Sequence, residues 1–93
     1  MARDWQFKQA PNTAVISLTR ILDGSTAILY VVHDEDGEWQ FLDGGDVSEE
    51  DAATVSLKDI VDHDPAIKSL VDLPAGWAAE RAAVGDPWER YRR

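Results

Sequence analysis

The sequence predicts an α+β domain: a small antiparallel sheet of three to five strands with a helical segment packed on one face. Three observations carry that expectation. The runs T-A-V-I-S-L-T-R-I-L (13–22) and E-W-Q-F-L (38–42) alternate, as half-buried strands do, and A-I-L-Y-V-V-H (27–33) is a short β-branched and aromatic run, as central strands are. Ile67, Leu70 and Val71 recur at i, i+3 and i+4, the spacing of one helix face. The chain has 93 residues, 44% of them hydrophobic, with four Trp, two Tyr and two Phe, enough for one modest core.

The elements follow in order. Residues 1–11 read as an N-terminal arm, closed by Pro11-Asn12, in which Trp5 and Phe7 are spaced to dock on the body; residues 12–93 read as a single compact domain. Residues 13–22 form a half-buried strand ending at the Asp23-Gly24-Ser25 turn, and residues 27–33 form a central strand. Asp34-Glu35-Asp36-Gly37 folds that strand back onto residues 38–42 as a hairpin. Ser48 and Asp51 have the spacing of a cap on one helical turn, and residues 54–57 suit a brief strand. Ser56, three residues before Asp59, N-caps a helix carrying Leu57, Ile60 and Val61; Asp64-Pro65 then opens a second helical piece, which Pro74 and Gly76 end.

The segment W-A-A-E-R-A-A-V (77–84) is helical in composition, yet Trp77, Ala79 and Arg81 alternate. The preceding Pro-Ala-Gly resets the chain direction and the sheet needs another partner, so a strand is expected. On it Trp77 and Arg81 share a face, with Trp77 largely buried and Arg81 paired to a carboxylate from the acidic middle of the chain.

Charge narrows the partners. Eighteen acidic against nine basic side chains leave a formal net charge of −9, which disfavours nucleic acid and anionic lipid, since binding to either depends on cations facing phosphate. The acid is concentrated: residues 23–64 carry thirteen carboxylates against Lys58 alone, while both ends are mildly basic. No cysteine is present, which removes disulfides, thiolate nucleophiles and iron–sulfur ligation. With no signal-like apolar stretch at the start and no run long enough to span a bilayer, a cytoplasmic location is expected.

Catalytic motifs are scarce. His33, Asp34, Glu35 and Asp36 with Asp43 and Asp46 have the oxygen ligands of a hard cation, but no EF-hand register fits: with Gly37 at position six, Val32 falls where the first carboxylate belongs. His33 and His63 lie in different elements with only carboxylates to complete a zinc set. None of the five serines sits in a nucleophile elbow, and Gly44-Gly45 lacks the Lys-Ser/Thr of a phosphate loop. No cofactor is expected.

The stretches H-D-E-D-G-E-W-Q-F-L-D-G (33–44), V-S-L-K-D-I-V-D-H-D-P (55–65) and D-L-P-A-G-W-A-A-E-R (72–81), with Pro87-Trp88, resemble a family of small uncharacterised bacterial proteins. The resemblance implies a bacterial source and one compact α+β domain, and implies no activity. D-G-E-W-Q-F-L-D-G-G-D is also similar to the D-S-G-W-x-F-x-x-G-x-E stretch of a domain class counted among bacterial toxin-immunity proteins, with Glu38 in place of Ser and the acidic spacing altered.

The expected function is a noncatalytic module presenting an acidic surface to a basic protein partner, an immunity-type protein being one concrete form. Asp34, Asp36, Trp39, Trp77, Arg81 and Trp88 are the candidate partner-binding residues, because Trp and Arg dominate protein-binding hot spots. The alternative is a small metal-dependent enzyme using Asp34, Asp36 and Asp43.

Overall fold

In the computed structural model, which describes residues 5–93, the strands are β1 (Ala14–Leu18), β2 (Tyr30–His33), β3 (Trp39–Leu42), β4 (Ala52–Ser56), β5 (Trp77–Glu80) and β6 (Glu89–Arg92). They join one sheet in the order β4-β1-β3-β2-β5-β6. The α-helices are α1 (Thr19–Leu22) and α2 (Leu57–His63), with 3-10 helices at Glu49–Asp51 and Pro65–Leu70.

The α+β class holds, but the sheet has six strands rather than three to five and is mixed rather than antiparallel. After β1 the chain returns as β2 one position further out, and the β2–β3 hairpin then inserts β3 between them. β3 therefore runs parallel to β1, with Ile16 opposite Gln40, while the other neighbours are antiparallel. Where β1 and β3 meet, the buried Ser17 hydroxyl donates to the Phe41 carbonyl at 2.8 Å. β6, with the sequence E-R-Y-R, has no apolar alternation and lies exposed at the sheet edge, so nothing in its pattern announces it.

The expected strand over 13–22 stops at Leu18, and T-R-I-L coils into α1, which places Ile21 in the core with no exposed surface. The D-E-D-G hairpin forms as expected. Asp34 Oδ1 accepts the Asp36 and Glu38 N–H groups at 2.9 and 3.0 Å, and Gly37 takes φ +90°, a conformation open to glycine at little cost. Ser56 Oγ caps α2 by accepting the Asp59 N–H at 3.1 Å. Asp64 then restarts the helix by accepting the Ala66 N–H at 3.0 Å, so the helical segment is two pieces joined at one residue. The strand expected over 77–84 forms as β5 but ends at Glu80, so Arg81 lies just beyond it rather than on it.

Val15, Val31, Trp39, Phe41 and Ala79 line the sheet face covered by Leu57, Ile60, Val61, Ile67 and Leu70. Val32 and Ala78, cross-strand partners on the other face, are also buried. Part of the expected arm packs on this body: Phe7 is 6% exposed and meets Trp39 edge-on at 5.4 Å, while residues 1–4 of that arm lie outside the described residues. No helix among the described residues is long and apolar enough to cross a membrane.

Strand direction divides the molecule into two poles. β1, β3 and β5 end, and β2, β4 and β6 begin, at a loop pole where segments 19–29, 43–51 and 81–88 gather. The D-E-D-G turn and segment 71–76 lie at the opposite, hairpin pole.

Candidate functional site

Folding sorts the acidic residues by pole. The turn 34–38 goes to the hairpin pole, whereas Asp23, Asp43, Asp46, Glu49, Glu50 and Asp51 reach the loop pole on two connections. Glu80, Asp86 and Glu89, from outside the acidic middle of the sequence, join them there through β5, β6 and their connection. Glu80 and Glu89 are direct cross-strand partners, both exposed, an arrangement of like charges that works against the pairing.

Two arginines hold this end together. Arg20, in α1, forks onto Asp43, with Nε 2.6 Å from Oδ2 and Nη2 2.9 Å from Oδ1. It also donates to the Asp46 carbonyl at 2.8 Å and to Asp51 at 3.3 Å, tying down connection 43–51 along its length. The Arg20 hydrogen bonds hold the Asp43 carboxyl well below the usual range, against the opposing effect of burial. Ser48 and Asp51 close the next turn as a capping box.

Arg81, immediately after β5, has a side chain only 1% exposed. Its Nε and Nη2 donate to the Ile28 carbonyl at 3.1 and 2.9 Å, and Nη2 also reaches Asp64 Oδ2 at 2.6 Å. Trp88 covers the guanidinium at 4.3 Å from its ring centroid. The carboxylate partner expected from the acidic middle is therefore Asp64, the residue that also restarts the helix.

The six residues singled out in the sequence do not form one surface. Asp34, Asp36 and Trp77 are at the hairpin pole, and Arg81 and Trp88 at the loop pole. Trp39 is 2% exposed, stacked on His33 at 4.1 Å and 5.8 Å from Phe41, which removes it from any contact surface; Arg81 is removed by its buried ion pair. Trp77, expected to be largely buried, is half-buried, because its neighbour toward the sheet edge is the exposed β6. Asp34 serves the turn, and Asp36 is exposed at its tip.

The proposed metal trio is likewise divided: Asp34 and Asp36 lie at one end of the β2–β3 hairpin and Asp43 beyond the other, forked by Arg20. Among the described residues no group of three or more His, Asp or Glu side chains is placed to hold a metal ion. Arg20, Glu49, Glu50 and the Glu80–Glu89 pair were not singled out by the sequence reading. The available signal was Arg20 itself, a cation just before a long acidic stretch.

In comparisons with known proteins, no family model matches the chain, and no curated protein or solved structure shows a significant match.

Proposed function

We propose that the protein is a noncatalytic interaction module whose loop pole binds a basic protein partner. The observation that carries this reading is the convergence of three connections on one pole, rich in carboxylates and stapled by Arg20 so that the surface is set before a partner arrives. A preset acidic surface speeds encounter with a basic partner and repels nucleic acid. An immunity-type protein, the class the resembled stretch points to, is one concrete form of this reading. The acidic contact region is accordingly Asp46, Glu49 and Glu50 with Asp86 and Glu89, in place of Asp34 and Asp36.

The test is capture from source lysate by the wild type, by a loop-pole variant (Asp46→Asn, Glu49→Gln, Glu50→Gln) and by a hairpin-pole control (Glu35→Gln, Asp36→Asn). The wild type and control should retain a basic protein at low salt and release it near ~0.5 M, where the Debye length is a few ångström. The loop-pole variant should not retain it. Equal retention by all three, or only neutral partners insensitive to salt, would refute the reading.

A further inference from the structure

β6 leaves one long side of the sheet open: all four of its residues are exposed, with β5 on one side and no strand on the other. The Arg81 N–H, in line with β5, donates to the Leu29 carbonyl, so Ala79 bonds toward β2, and Ala78 and Glu80 bond toward β6. Across the β5–β6 register Tyr91 and Glu89 therefore face β5, as Arg93 does through its N–H to the Gly76 carbonyl. The backbone N–H and C=O groups of Arg90 and Arg92 point outward, with no backbone partner among the described residues.

Charges on such an edge ordinarily keep other strands away. Here their order suits one particular strand, a second β6. A two-fold axis normal to the sheet keeps every side chain on its own face, so the copy can pair antiparallel only in registers where one residue meets itself. The register that pairs the two outward residues with one another sets Arg90 against Arg92 of the copy, Tyr91 against Tyr91 and Glu89 against Arg93. In the single chain Glu89 has only Glu80 across from it, and the copy's Arg93 supplies the cation that this pair lacks. Arg90 is already bound to Asp72 at 2.8 Å, so the copy's Arg92 meets an ion pair rather than a bare cation. Tyr91 is 39% exposed, and the register stacks it on its own copy.

We infer that two copies of the chain join edge to edge through β6 in this register, making one continuous sheet. Residues 89–93 hold three arginines against Glu89 on a chain of net charge −9, so this edge is also where two such acidic molecules repel each other least. The antiparallel arrangement turns the two loop poles in opposite directions, so the pair presents two acidic surfaces. The dimer stands or falls independently of what binds them.

The test is analytical ultracentrifugation over a concentration series reaching about 1 mM, with the wild type, Glu89→Arg, Arg93→Glu and the double variant carrying both. The wild type should dimerise. Each single reversal sets like charges opposite each other at two symmetric places and should weaken dimerisation about tenfold or more, whereas the double variant restores both pairs with signs exchanged and should recover it. Because the chain has no cysteine, Tyr91→Cys adds a single thiol, which the register places about 4.5 Å from its copy, Cα to Cα, so an intermolecular disulfide should form on mild oxidation. Glu89→Cys, whose two copies are separated by four residues of strand, about 13 Å, should not cross-link. A wild type monomeric throughout, a double variant that dimerises no better than the single ones, or a Glu89→Cys chain that cross-links as readily as Tyr91→Cys overturns the proposal. The cysteine comparison reads the register even if a charge reversal does not fold.

Discussion

Arg20 commits three nitrogens to the connection between β3 and β4, and the carboxylate it grips most closely, Asp43, has a side chain only 8% exposed. The Asp43 carboxyl is held below its unfolded value of about 3.9, so its ionised form contributes stability that is complete above that pH and lost as pH falls through the depressed folded value. Asp43→Asn should therefore lower stability at neutral pH and flatten the acid side of the stability profile below about pH 4, read by urea titration at successive pH values. An unchanged acid limb would show that another group governs it. Arg81 poses a different case, because its guanidinium is fully enclosed and bonds two acceptors at once. Arg81→Lys keeps the charge but cannot supply Nε and Nη2 together, and should cost about 2 to 3 kcal/mol by denaturant unfolding, against a few tenths for Arg92→Lys at the exposed edge.

At the scale of elements, most strands and both helical pieces were legible, because their signals are local: alternation for β1, β3 and β5, a β-branched and aromatic run for β2, Ser56 and Asp64 as caps, Asp34 and Gly37 in the turn. Strand order was not legible, since no local pattern states that β3 inserts between β1 and β2. The burial of Trp39 rather than Trp77 follows from that order, because β3 has strands on both sides and β5 has only the exposed β6 beyond it. The candidate site was legible in composition and illegible in place. An acidic block continuous in sequence is divided between two poles by a four-residue strand, and only the fold adds Glu80 and Glu89 to one of them. Trp39→Ala should cost on the order of 3 to 5 kcal/mol through the cavity left among His33, Phe41 and Phe7, and Trp77→Ala distinctly less. Equal losses in calorimetry would mean that the two tryptophans are equally enclosed.

For the whole molecule, a net charge of −9 on a domain with a radius of gyration of 12.3 Å is a standing self-repulsion, and strand polarity concentrates much of it at one end. Monovalent salt should accordingly raise the melting temperature by screening it, and Glu89→Gln, which relieves the like-charged cross-strand pair, should raise it at low salt and reduce the benefit of added salt. Under the proposed function, a partner that neutralises this surface offsets that cost. Carbodiimide cross-linking joins carboxylates only to amines in direct contact, so mapping the linked residues by mass spectrometry locates the partner on the surface. Links from Asp46, Glu49, Glu50, Asp86 or Glu89 to lysines of a basic protein are the predicted result; links confined to Glu35, Asp36 and Glu38 at the hairpin pole would contradict the account.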